Sequence, residues 1–507
     1  MKITALKSSS KSKLPILLRS LILVTSAGLL LNGCSHSKFT ANTKDTTVST
    51  INNKADNLDI VSIDDTITLA QVTKDVSYLA SDDLKGRSNF SNDIGIAADY
   101  IAQRFNEVGL SSAMSTDNFR QAYRIQKITP NSLVVSINGE VIAQENLAIA
   151  TTVPSINWQR SATKQIPVKE AINTVFINEK DDLRKSLGKL NNQGGEHLVL
   201  LHPAHKNTFK RYQGYFSRGV TKLVNDKSSS QNNKANSKEN IGGTLVIALT
   251  PIDKVNDFNV TSASEVSNTS LTNVVGILPG KSKANDVVLY SAHYDHLGVM
   301  REFEGQTTQT SQIFNGADDN ASGVSAIINL ANYFAKLGNN ERTLMFAAFS
   351  AEEIGGFGSR YFSNQIDANS ITAMINIEMI GKPAVFGEGS VWMTGMERSN
   401  LGEQLNEVLA PKQLIIYADP YPNQNLFYRS DNATLARLGV PAHSFSSTQL
   451  DKDQHYHQVS DDIDSLNLPS MLKVIKMLAI ATTPLVEGTV TPTRIDANNV
   501  SRKGLIY

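Results

Sequence analysis

The chain has 507 residues with 48 basic and 48 acidic side chains, so its formal net charge is zero. No global field draws it to nucleic acid, and nucleic-acid binding is set aside on that ground. Its length allows two or three domains and a large core, and with a single cysteine any zinc would have to be held by nitrogen and oxygen alone.

The N-terminus reads as an export signal. Lys2, Lys7, Lys11, Lys13 and Arg19 form a positive leader, residues 21–31 are an apolar run, and Leu31-Asn32-Gly33-Cys34 follows. At roughly 11 residues against the 20 or so needed to cross a bilayer, the run is too short for a stable transmembrane helix. The segment resembles the bacterial lipobox, although Asn32 is unusual at its position. That resemblance implies a signal peptide over 1–33 and lipidation of Cys34 as the mature N-terminus; the alternative is an ordinary signal peptide with Cys34 incidental. Either way the mature protein is expected outside the cytoplasm: lipid-anchored in the bacterial cell envelope and facing the periplasm or the exterior in the first case, periplasmic or secreted in the second. Residues 34–62 are polar and too poor in apolar groups to offset ordering entropy, so they read as a flexible tether.

Folding is expected from residue 63. Leu69, Val72, Val76 and Leu79 recur at helical spacing, as do Ile94, Ala97, Ala98, Ile101, Phe105 and Val108 before Gly109. These two helices flank a turn at Gly86-Arg87, where Arg87 is expected in a surface or structural ion pair, and 63–127 is assigned as the N-terminal helical part of the main domain. Residues 128–255 change to short β-type runs at 133–137, 174–177, 197–201 and 244–249, which predicts an inserted β-rich domain. Within it, 226–240 is Lys, Ser, Asn and Gln and reads as a mobile loop. Over 256–490, continuous apolar runs at 287–290, 343–349 and 373–377 alternate with a helical stripe of Val324, Ile327, Ile328, Ala331 and Phe334. That pattern predicts an α/β fold with a mostly parallel central sheet flanked by helices; 491–507 is a C-terminal tail.

The candidate chemistry falls at the ends of those runs. In an open α/β sheet, ligands collect beyond the carboxyl ends of the strands. His293 and Asp295 follow the first run, Glu352 and Glu353 the second, and Glu378 the third, with Asp319 in a Gly-bounded loop and His457 in a polar segment downstream. Imidazoles of His293 and His457 and carboxylates of Glu353 and Glu378 suit zinc, Asp319 is placed to bridge two ions, and Asp295 would accept the other ring N–H of His293. Glu352 remains as the base.

The ordered segments His-x-Asp, Gly-Ala-x-Asp-Asn-Ala-Ser-Gly, Ala-Glu-Glu-x-Gly, Asn-x-Glu-Met-Ile-Gly and Tyr-His resemble the dinuclear zinc aminopeptidases of metallopeptidase family 28. The resemblance is specific over 273–484 and suggestive over 63–110. It implies two zinc ions, one with His293 and Glu378 and the other with Glu353 and His457, joined by Asp319. The expected activity is removal of N-terminal residues from peptides by attack of metal-held water on the first peptide bond. Carboxypeptidase or glutaminyl-cyclase chemistry on the same scaffold, or a non-catalytic surface binding protein, are the alternatives. The insert falls where such enzymes often carry a protease-associated domain. Two departures stand out: Glu378 replaces the usual Asp, and Ser430-Asp431-Asn432 replaces Ser-Asp-His. By that likeness Tyr428, Arg429, Asp431, Asn432 and Phe445 are candidate substrate contacts. Oligomeric state leaves no trace in the sequence.

Overall fold

A computed structural model describes residues 62–113, 118–161, 172–224, 242–300, 312–501 and 504–507. The leader, Cys34, the tether up to residue 61 and the 226–240 segment lie outside the described residues.

The chain enters through helices α1 (Leu69–Leu79) and α2 (Asp93–Glu107). Thr68 caps α1 by accepting the Gln71 N–H at 3.3 Å, a favoured N-cap arrangement. Strand β1 (Arg120–Ile137) follows. The insert then contributes β2 (Leu147–Thr151), β3 (Ser155–Arg160), β4 (Asn173–Ile177), α3 (Leu183–Gln193), β5 (Gly195–Leu201), α4 (Lys206–Phe216) and β6 (Gly243–Leu249). Strand β7 (Phe258–Leu278) returns to the main domain. There the order is β8 (Lys283–His293), α5 (Gly323–Leu337), β9 (Arg342–Phe349), α6 (Phe357–Gln365), β10 (Ile371–Ile377), β11 (Val391–Met393), α7 (Leu401–Leu409), β12 (Ile416–Ala418), β13 (Ala442–Ser446) and α8 (Leu468–Val486).

The main sheet runs β12-β11-β13-β10-β8-β9-β7-β1. Its centre, β13-β10-β8-β9, is parallel, while β7 joins β9 and β11 joins β13 antiparallel. Side chains alternate faces along a strand, and β8 shows the result. Val288, Tyr290 and Ala292 enter the core under α1, α2, α5 and α8, whereas Val287 and Leu289 enter the opposite core with Phe349, Phe362 and Leu435. Helix α8 is long and apolar enough to cross a membrane, yet Val474, Ile475, Leu478, Ala481 and Leu485 are buried in the first of these cores.

The expected insert boundaries do not fall on linkers. Strands β1 and β7 pair antiparallel from Ile137↔Phe258 down to Arg120↔Val274, so one ladder belongs to both parts, and residue 128 lies inside it. The insert carries two helices beside its strands. Parallel strands β4, β5 and β6 with antiparallel β2 pack the ribbon on one face through Leu133, Val135, Trp158, Leu198, Leu200 and Phe258. Their other face is covered by Leu183, Leu187 and Leu190 of α3 and Phe209 and Phe216 of α4, joined by Ile506 from the tail. The tail is held there by Asn191, whose Oδ1 accepts the N–H groups of Ile506 and Tyr507 at 2.9 Å each and whose Nδ2 donates to the Tyr507 carbonyl at 2.9 Å.

Candidate metal centre

Parallel pairing brings three strand ends to one height: His293 lies opposite Phe349, and Ser291 opposite Asn376. The residues that follow, Glu352-Glu353 after β9 and Glu378 after β10, therefore share a rim with His293. Asp319 reaches that rim from the turn before α5. Gly316 begins the turn at φ +58, and a Cβ there would collide with the Asp319 carbonyl oxygen. The Asp319–Asn320 peptide is cis. Asn320 ties the turn to β10, donating to the Ile377 carbonyl at 2.9 Å and accepting the Met379 N–H at 3.2 Å. Behind it the Asp461 carboxylate accepts the N–H groups of Asp318 and Asp319 at 3.1 Å each, and Lys382 lies 3.6 Å from Asp461 and 3.1 Å from Asp453.

Two groups of nitrogen and oxygen atoms result, sharing Asp319. His293 Nε2 is 3.1 Å from Asp319 Oδ1 and 3.1 Å from Glu378 Oε1. His457 Nε2 is 3.2 Å from Asp319 Oδ2 and 3.3 Å from Glu353 Oε2. Four ligands about 2.0 to 2.1 Å from a tetrahedral Zn²⁺ stand about 3.3 Å from one another, so these separations are compatible with ligands of a common ion, and the donor set fits zinc. The charge balance agrees. Burial alone would drive the His293 and His457 rings neutral, yet Glu378 with Asp319, and Asp319 with Glu353, hold both pKa values up, that of His457 to about 10. Burial would raise Asp319, but its contacts with the two rings hold it well below the carboxylate range. This is a cage with surplus negative charge that favours a cation.

His293 Nδ1 donates to the backbone carbonyl of Asp295 at 3.1 Å, which leaves Nε2 free to ligate. The Asp295 carboxylate, expected to take that ring N–H, stands 3.7 Å away. It instead accepts the N–H groups of Glu352 and Glu353 at 3.1 and 3.2 Å and the Asn89 amide at 2.6 Å, fixing the loop that carries both glutamates. Glu352 lines a cavity next to the cage, and burial, reinforced by Glu353 and Asp431 against the pull of His293, holds its carboxyl well above the usual range. Met379, Trp392, Leu426 and Leu450 supply the apolar part of the same cavity.

Of the expected substrate contacts, Arg429 lines this cavity, and its Nη2 donates to the Tyr456 hydroxyl at 3.2 Å. Phe445 does not line it: Ser444 and Ser446 face the cavity, so strand alternation turns the ring into the core. Asn432 is buried as a brace, donating to the Phe427 carbonyl at 3.1 Å and accepting from Ser444 at 2.9 Å. Tyr428 accepts the Ser501 N–H at 3.4 Å in the opposite core's margin. Asp431 is buried away from the cavity lining, and burial pushes its carboxyl up to about 7. Ser430 is the member of that stretch that reaches the cage: it donates to Glu378 Oε2 at 2.6 Å and accepts from Asn376 at 2.8 Å.

Among the described residues Arg87 makes no ion pair and bonds to backbone carbonyls instead. It is buried and donates to the carbonyls of Tyr294 (2.8 Å), Asn315 (2.6 Å), Gly316 (3.0 Å) and Leu79. It thereby clamps the His293 and Asp319 loops to the end of α1. His296 is a residue that sequence reasoning missed: it is buried, with Nδ1 2.7 Å from Glu353 Oε1. A second imidazole three residues beyond His293 was the available signal.

Residues 273–482 match the profile of Peptidase family M28. Leucine aminopeptidase 1 of Trichophyton rubrum is 25% identical over 233 residues, covering 44% of this chain and 60% of that protein. Leucine aminopeptidase 1 of Neurospora crassa is 26% identical over 215 residues, covering 40% and 51%. The chain thus spans about half to three-fifths of the length of these relatives. Among solved structures, the zinc aminopeptidase BSAP from Bacillus subtilis aligns with a TM-score of 0.47 at 15% identity, covering 87% of this chain and 99% of that one. An aminopeptidase from Aneurinibacillus sp. strain AM-1 aligns at 0.46 and 16%, covering 87% and 97%. His293, Asp319, Glu352, Glu353, Glu378 and His457 all fall within the stretch that matches Peptidase family M28.

Proposed function

We propose that the protein is a zinc-dependent aminopeptidase that removes N-terminal residues from peptides. The observation that carries this reading is the pair of imidazole–carboxylate groups joined through Asp319, with Glu352 beside them on the wall of a cavity. His293 and Glu378 would hold one ion, His457 and Glu353 the other, and Asp319 both. When bound, such a pair polarises a carbonyl and acidifies water. Glu352, a carboxyl whose proton affinity is raised by burial, accepts the proton of the attacking water and delivers it to the leaving amine. Met379, Trp392, Leu426 and Leu450 receive an apolar N-terminal side chain.

Glu352→Ala tests the assignment. It should retain wild-type metal content and lose turnover of aminoacyl substrates by about 10²- to 10⁴-fold. Undiminished hydrolysis would reject the role of Glu352. Peptides blocked at the N-terminus should resist cleavage while C-blocked peptides are cut; the reverse would favour a carboxypeptidase.

Export and anchoring belong to the same proposal. The basic leader, the short apolar run and Cys34 support a lipoprotein of the bacterial envelope. Mass spectrometry of the mature N-terminus should find a diacylated Cys34, and an unmodified thiol there would reject the anchor.

A further inference from the structure

Each terminal glutamate of the cage has one oxygen toward an imidazole and one held from behind. For Glu378, Oε1 faces His293 and Oε2 accepts from Ser430. For Glu353, Oε2 faces His457 and Oε1 contacts His296. We infer that His296 is a positioning residue for the metal centre: its Nδ1–H fixes Glu353 Oε1 and so presents Oε2 alone as the ligand to the ion shared with Asp319 and His457. The inference rests on the two-ion reading above.

Two observations distinguish this role from that of a further ligand. The His296–Glu353 separation of 2.7 Å is a charge-assisted hydrogen bond, shorter than the 3.1 to 3.3 Å between the caging ligand atoms. From Asp319 Oδ2, which would have to share the same ion, His296 Nδ1 stands 3.9 Å away. The second observation concerns the other ring nitrogen. A metal-bound imidazole almost always donates its remaining N–H to an acceptor, but His296 Nε2 is buried with no partner among the described residues. Placing the proton on Nδ1 leaves Nε2 as a bare acceptor; ligation through Nδ1 would strand a buried N–H, the costlier arrangement.

The ring is held where this bond requires. Gly316 lies against it so closely that a Cβ would meet His296 Cγ at 2.5 Å. Its backbone N–H donates to the Arg87 carbonyl at 3.3 Å, and its ring meets that of His457 edge-on at 5.8 Å between centroids. Restricting Glu353 to one oxygen keeps the coordination number of that ion low, which leaves a position for substrate, as catalytic zinc sites need.

The test is metal titration of the full chain after chelation, by calorimetry with Zn²⁺ and by the visible absorption of bound Co²⁺. In the wild type two binding steps are expected. His296→Asn branches at the same carbon as the ring and can place an N–H near Nδ1; His296→Gln carries its amide one carbon farther and cannot. Gln should weaken one step by about 10- to 100-fold and leave the other in place, with weaker Co²⁺ absorption as Glu353 turns bidentate; Asn should restore both. Ser430→Ala should instead weaken the other step. Equal losses in Asn and Gln would overturn the inference in favour of direct ligation, and wild-type titrations for both would overturn it outright. A wild type that takes up no metal would instead reject the underlying two-ion reading. Circular dichroism and unfolding midpoints identify any variant that fails to fold, and the Asn–Gln comparison is then made between folded variants of matched polarity.

Discussion

Replacing Arg87 with methionine should destabilise the metal-free protein by about 3 to 9 kcal/mol. The guanidinium makes four hydrogen bonds to carbonyls on three separate segments: the end of α1, the His293 loop and the Asp319 turn. Hydrogen bonds to a charged group contribute roughly 1.5 to 3 kcal/mol each, or about 6 to 12 kcal/mol for four. Burying the cation opposes this. Burial, only partly offset by Asp295 and Asp461, pulls its pKa down to about 10, which corresponds to about 3 kcal/mol against the charged form. Arg87→Lys keeps the charge but gathers its donors on one nitrogen, which cannot reach all three segments, so an intermediate loss is expected. Urea unfolding should be run with chelator present, because bound metal adds stability by mass action. A loss of less than about 1 kcal/mol for Arg87→Met would refute the clamp.

His443, buried with Nδ1 donating to the Thr394 carbonyl at 2.8 Å, has its pKa lowered by burial to about 4. The unfolded chain then binds the extra proton first, so stability falls as pH drops from about 6.5 to 4, by up to about 3 kcal/mol; a pH-independent difference between wild type and His443→Gln would contradict this. Gly316→Ala and Gly338→Ala both force alanine into left-handed backbone, but nothing lies within 4 Å of a Cβ at Gly338. Gly338→Ala should cost about 1 to 2 kcal/mol, Gly316→Ala clearly more together with weaker metal retention on dialysis, and equal behaviour would count against the packing at Gly316. Asn191→Ala removes three hydrogen bonds to the tail. Amide exchange at Ile506 and Tyr507 should accelerate on the order of 30- to 100-fold, and unchanged rates would mean the tail is held by its apolar contacts and the Leu505 N–H bond to the Asn191 carbonyl.

The apolar runs at 287–290, 343–349 and 373–377 were legible as central strands because burial on both faces removes polar alternation, and parallel pairing then dictates that their C-terminal ends meet. What escaped the sequence shares a different physics. The stretch 261–273 is mostly Ser, Thr, Asn and Glu, yet it is strand, because the ladder to β1 and not side-chain burial holds it. Helices α3 and α4 show only a sparse stripe, Leu183, Leu187 and Leu190 or Phe209 and Phe216, inside Lys- and Asn-rich surface. In the site, ligand types declare themselves, but supporting partners do not: Arg87, Asn89, His296 and Ser430 act through carbonyls and carboxylates from remote segments, contacts that local spacing cannot encode.

The shared β1–β7 ribbon makes the insert a cantilever and not a hinged module. The strand that starts at Phe258 continues, past a register shift in its ladder at Ala263/Ser264, to Val274–Leu278, which is hydrogen-bonded to Leu344–Ala348 just ahead of the Glu352 loop. Grafting this insert elsewhere, or trimming it away, therefore means sawing through paired rungs such as Lys127↔Ser267. A host would have to match their register to receive it, since a slip of one residue would turn every side chain on the beam to the wrong face.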